Sequence, residues 1–200
     1  MNILRLAVLS MSLFFAGCAS NSMLVSNSQT VSDVSENKAQ VVFMRSSFVG
    51  GAINGSLFDV TSGSPVFIGI IANGTKVAYE TSPGKHLFMV VSEAADFMAA
   101  DVEAGKSYFS IVTPRMGFWK ARFSLWPVRN DGSTKFNTGT DEFKNMLQKT
   151  KLMENSEKSL AWFNKHKLDI DAKRKEYLTV WNEKSANDLK LRTLRPEDGR

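Results

Sequence analysis

The chain has 200 residues, 43% of them hydrophobic, with 25 Lys and Arg against 20 Asp and Glu and a net charge of +5. That apolar fraction supports a real core and excludes a disordered chain. A single cysteine, Cys18, and two histidines, His86 and His166, exclude an intramolecular disulfide and a zinc site with ligand spacing.

A largely apolar stretch, residues 6–15, follows the basic Arg5 and ends in Phe15-Ala16-Gly17-Cys18. Such a stretch, closed by small residues, is a secretory signal, and it is too short for the about 18–20 residues of a membrane span. Residues 1–17 are therefore expected to be removed. Small residues directly before Cys resemble a bacterial lipobox, with Phe15 where Leu is usual. The resemblance implies cleavage before Cys18 and acylation of its amine and thiol, making Cys18 the lipid-attachment residue. The plainer alternative is an ordinary signal peptide with an incidental Cys18. Ala19 and Ser20, with no Asp after the cysteine, fit outer-membrane sorting. Each buried methylene adds about 0.8 kcal/mol, so three acyl chains would make release negligible. Residues 18–38 then read as the lipidated cysteine and a Ser- and Asn-rich flexible tether with a reach of about 25 Å.

Residues 39–130 read as one β domain. Strands are expected at residues 40–45, 56–61, 66–72, 75–80, 86–92, 97–103, 107–113 and 119–125. The third is mostly apolar and is expected to be central. Asn73-Gly74 follows it and favours a two-residue type I′ hairpin. In the last strand Trp119, Ala121, Phe123 and Leu125 alternate with Lys120, Arg122 and Ser124, which places the apolar set on the core. Seven or eight short strands argue for an antiparallel β-sandwich or small barrel. Two or three amphipathic helices are expected over residues 139–190. One carries Phe143, Met146 and Leu147; another carries Leu160 and Phe163. A third opens near Asp169 or Asp171, with Ile170, Tyr177, Leu178 and Trp181 on one stripe. Residues 191–200 read as a non-helical tail.

The positive charge belongs to this helical region. Residues 144–200 hold 14 Lys and Arg against 9 Asp and Glu. An anionic envelope polymer, lipid head groups or an envelope protein would suit that surface, a plain solvated helix face being the blander reading. Nucleic acid is not an expected partner outside the cytoplasm.

No nucleophile elbow, phosphate loop or dinucleotide fingerprint is present, so no catalytic, cofactor-binding or metal residue is assigned and no cofactor is expected. His86 reads as a strand residue making local hydrogen bonds; the alternative is a base working with Asp101 or Glu103. His166 reads as an exposed helix-end residue. Asp96, Asp101 and Glu103 read as a solvated strand face. Asn54-Gly55-Ser56 and Asn73-Gly74-Thr75 match the glycosylation sequon and read as turns. Phe118 and Trp126 fall out of step with the inward set, beside Arg115, Lys120 and Arg122. Together these are interaction candidates, since Trp and Arg are typical hot-spot residues; equally, helices could cover them.

Pro83-Gly84-Lys85-His86 and Ala104-Gly105-Lys106-Ser107-Tyr108, with Val41-Val42-Phe43-Met44-Arg45 before them, resemble an uncharacterised family of bacterial lipoproteins with a single β-sandwich domain. The resemblance covers about residues 39–130 and implies fold and location without an activity. Its motifs read locally as hairpin turns. The expectation is a non-enzymatic cell-envelope lipoprotein at the outer membrane, facing the periplasm and acting as a binding module. The alternative is an envelope hydrolase or small-ligand-binding protein using His86.

Overall fold

A computed structural model describes residues 22–47, 50–115 and 122–200. In chain order the strands are β1 (Leu24–Val25), β2 (Ala39–Arg45), β3 (Gly55–Asp59), β4 (Val66–Ile71), β5 (Thr75–Thr81), β6 (Gly84–Val91), β7 (Ala95–Val102), β8 (Ser107–Arg115) and β9 (Arg122–Pro127). Helix α1 (Asp141–Lys149), β10 (Lys151–Glu154), α2 (Glu157–Asn182), α3 (Ala186–Leu191), β11 (Thr193–Leu194) and a 3-10 turn (Pro196–Asp198) follow. The protein is thus mainly β, with eleven strands among the described residues in two sheets ordered β1-β10-β5-β2-β8-β9 and β11-β7-β6-β3-β4.

Both sheets are mixed, not antiparallel as expected: β2–β8, β10–β5 and β11–β7 are parallel pairs. Alternation distributes each strand between two apolar layers. Val41 and Phe43 of β2, Leu57 of β3, Phe88 and Val90 of β6, and Met98 of β7 meet in one core shared by the sheets. Val42 and Met44 of β2, with Phe109 and Ile111 of β8, point the other way onto Phe143 and Met146 of α1. Phe58, Met89 and Phe97 likewise leave the shared core and meet Ile170 and Trp181 of α2. With both faces covered, β2 and β3 are buried along their whole length, which is why β2 reads as a continuous apolar run.

Several local expectations change. The apolar third strand, β4, is an edge strand, not a central one. Its open edge is covered by the N-terminal segment and by Asn155: the Ile70 amide donates to Met23 Sδ at 3.4 Å, and Asn155 Nδ2 donates to the Ile68 carbonyl at 3.0 Å. Ala72-Asn73-Gly74 does not close a hairpin; β4 and β5 lie in different sheets. Only Gly74 there has positive φ, +72°, so the two left-handed residues of a type I′ turn are absent. The two family-like motifs are also not hairpins. Pro83-Gly84 passes from β5 to β6 and Ala104-Gly105-Lys106 from β7 to β8, each a corner between sheets.

The tether is docked from Ser22 onward. Met23 is 6% exposed in the shared core, and β1 pairs with β10. Gln29 extends the docking by accepting from the Leu152 amide at 2.9 Å. The two helical segments expected around Leu160 and Asp169 are one 26-residue helix, α2. Asp169 and Asp171 do not start a helix; they pair with Lys173, Arg174 and Lys175 three and four residues on, the spacing that supports a continuous helix. Residues 191–200 carry β11 and the 3-10 turn, and Arg200 exchanges backbone hydrogen bonds with Ser107.

Candidate functional site

His86 lies near the start of β6, beside the end of β3. Residue His86 opposes Ala100 across β6–β7, whereas Asp101 opposes Lys85. Opposed residues share a face and successive residues alternate, so Asp101 is on the other face from His86. Glu103, beyond β7, pairs with Lys106. The carboxylate that His86 meets is Asp59: Nδ1 lies 3.0 Å from Asp59 Oδ2, with side-chain exposures of 10% and 8%. The other imidazole nitrogen, Nε2, lies 2.8 Å from the Ser82 carbonyl. Thr61 donates its amide (2.9 Å) and hydroxyl (2.5 Å) to Asp59 Oδ1, while its own oxygen accepts from the Leu87 amide at 3.0 Å. The ring stacks on buried Phe88, centroids 5.6 Å apart.

This geometry favours the protonated imidazole. Both nitrogens face acceptors, so only the imidazolium donates to both. The bond to Asp59 raises the His86 pKa above its ordinary value; burial opposes this and the Ser82 carbonyl assists it. Burial also resists ionisation of Asp59, but the bonds from His86 and Thr61 outweigh it and hold the carboxyl below its usual range. A general base needs a free lone pair within reach of substrate; here both nitrogens are engaged by the protein. The arrangement is a latch across the Pro83-Gly84 corner, an ion pair whenever His86 is protonated. The second motif does the same with different chemistry: the Tyr108 hydroxyl accepts from the Glu103 amide at 2.8 Å, across the Ala104-Gly105 corner.

The interaction candidates separate. Phe118 and Lys120 lie outside the described residues, as do Cys18, Trp119 and Ala121. Trp126 is half-buried. Its indole N–H donates to Thr113 at 2.9 Å, and the Arg192 guanidinium lies 4.0 Å above its ring. Arg192 also reaches Asp96 at 2.9 Å and the Leu125 carbonyl at 2.8 Å. The segment after α3 therefore covers this tryptophan, and Asp96 is a buried ion-pair partner, not part of a solvated face. Arg115 and Arg122 oppose each other on β8 and β9 and are exposed, with Arg115 3.8 Å from Asp96. His166 is not at a helix end: it is half-buried within α2, its Nδ1 2.7 Å from the Trp162 carbonyl.

Sequence reasoning missed three groups. Asp59 and Thr61 carry the histidine latch. Arg129 and Asp198 form an ion pair at 2.5 Å with exposures of 3% and 0%. Arg45, fully buried, donates to the Gly50 and Ile53 carbonyls and lies 4.3 Å over Phe123; burial pushes its pKa down to about 10. Only the lone charge within an apolar strand hinted at Asp59 and Arg45.

Among the described residues no helix is long and apolar enough to cross a membrane, and no group of three His, Cys, Asp or Glu is placed to hold a metal ion. Comparison with protein-family models, curated proteins and solved structures returned no match.

Proposed function

We propose that this protein is a lipid-anchored cell-envelope protein, acylated at Cys18 and held at the outer membrane. In this reading a non-enzymatic β-sandwich domain faces the periplasm and serves as a binding module. The observation that carries it is the lipobox-like Phe15-Ala16-Gly17-Cys18, which stands only four residues before the docked Ser22. The engagement of both His86 nitrogens supports a binding role over a catalytic one. Exposed Lys158, Lys165 and Lys167 on α2 are the groups that would meet an envelope protein or anionic polymer.

The test is the intact mass of protein purified from membranes of a Gram-negative host. A chain beginning at Cys18 with a diacylglyceryl group and an amide-linked acyl chain is expected, and Cys18→Ser should leave the membrane fraction. A mature chain with an unmodified cysteine overturns the reading. The 3.0 Å contact between His86 and Asp59 favours one other reading, a His86-dependent hydrolase or small-ligand site. It requires release of Nε2 from Ser82. Hydrolysis by the wild type that His86→Gln abolishes, with the fold retained, would establish it.

A further inference from the structure

We propose that the sheet edge bearing Leu24 and Val25, together with Leu160 at the start of α2, seats directly against the bilayer that holds Cys18. The inference rests on the lipid-anchor reading and deepens it by naming the surface that meets lipid.

The argument begins with chain length. Three residues separate Cys18 from Ser22, and an extended chain advances at most about 3.6 Å per residue, so the four steps span about 14 Å. Ser22 is already held by the domain: its carbonyl accepts from the Ser156 hydroxyl at the N-cap of α2. Met23 is then locked in the core, and Gly69 makes room for it, since a Cβ there would sit 2.9 Å from the Met23 methyl. The anchor therefore enters the fold at one fixed point, not through a tether long enough to let the domain tumble freely.

Apolar side chains surround that point. Leu24 and Val25 follow Met23 directly and are 59% and 54% exposed. They form β1, the terminal strand of its sheet, so among the described residues no strand lies along its other flank. Leu160, 46% exposed, lies one helical turn after Ser156, and its amide donates to the Ser156 carbonyl. An exposed apolar edge strand is a liability that folded proteins usually cover. A membrane interface admits such side chains to a depth of about 5–10 Å, and the short anchor brings this edge within reach of one. The Glu154 carboxylate, opposite Leu24, accepts from the Ser26 hydroxyl through Oε1.

The test uses the acylated full chain, whose Cys18 thiol is consumed by acylation, in vesicles of phosphatidylethanolamine and phosphatidylglycerol. A single cysteine carrying an environment-sensitive fluorophore is placed at Leu24, Leu160, Val180 or Leu191. Val180 is 55% exposed and Leu191 51%; Val180 lies 20 residues beyond Leu160 on α2, about 30 Å away. Probes at 24 and 160 should shift to the blue and lose intensity to lipid-borne nitroxides, while those at 180 and 191 do neither. Equal responses at all four positions would overturn the seating. So would a blue shift at 24 that follows protein density and ignores the quencher, since a second copy would then be covering the edge. Intact mass separates the two levels of failure: acylated protein without selective quenching defeats the seating alone, whereas unacylated protein defeats the anchor and the seating with it.

Discussion

Two of the buried ion pairs among the described residues are alike in burial and differ in their cation. His86–Asp59 joins β6 to β3 at 3.0 Å, and Arg129–Asp198 joins the end of the β region to the C-terminal turn at 2.5 Å. Both are nearly sealed from water. The arginine pair is extended by Arg195, which reaches Asp198 at 2.8 Å, and by Arg129 bonds to the Thr193 and Lys190 carbonyls. A guanidinium does not titrate in the physiological range, so such a clasp is permanent. An imidazolium does titrate there, so the clasp at the Pro83-Gly84 corner is conditional. The choice of cation, not the depth of burial, sets the difference.

The largest expected effect tests the permanent clasp. Asp198→Ala leaves Arg129 buried without its carboxylate, and breaking such a pair costs about 3–5 kcal/mol. Denaturant unfolding should show that loss, and amide exchange across residues 193–200 should accelerate. A loss under 1 kcal/mol would mean that the carbonyl bonds alone hold Arg129.

The conditional clasp should show both a smaller loss and a pH signature. His86→Gln removes one partner of a buried carboxylate, costing about 1–3 kcal/mol at neutral pH. The folded chain raises the His86 pKa. Its contribution is therefore complete below the ordinary histidine value of about 6.5 and is lost as pH rises through the folded value. Asp59 is held below its ordinary 3.8. Its contribution is present above that value and is lost as pH falls through the folded one. Stability measured against pH should decline on the alkaline side in wild type and in Asp198→Ala, and flatten in His86→Gln. An unchanged slope in His86→Gln would remove the histidine from the pH dependence.

The smallest effect belongs to the corner latched without charge. Tyr108→Phe deletes the oxygen that accepts from the Glu103 amide and donates to the Pro196 carbonyl at 3.3 Å. Glu103 is exposed, so water can replace the lost acceptor, and a cost of about 0.5–1.5 kcal/mol is expected without a change in pH slope. A pH-dependent loss would show that the tyrosine is coupled to ionisable neighbours.

Strand positions and the α1 stripe were legible because burial on one or two faces writes itself into residue spacing. Phe123 and Leu125 point into the shared core as their alternation implied. Hairpins and sheet-to-sheet corners were not separable, because Asn73-Gly74 and Pro83-Gly84 specify a local bend and say nothing about which strand pairs next. The continuity of α2 was hidden by Asp169 and Asp171, which resemble helix starts until their i+3 and i+4 basic partners are placed. Asp59 was invisible as the partner of His86 because the two lie 27 residues apart.

By itself the sequence determined that the chain is β-rich then helical and that Cys18 stands in a lipobox-like context, since both are properties of neighbouring residues. Tertiary structure alone decided the sheet order, the docking of Met23 beside β4, and the pairing of each buried cation with its acceptor. Those depend on segments distant in the chain meeting at one place, where burial makes an unpaired charge or an open strand edge too costly to leave.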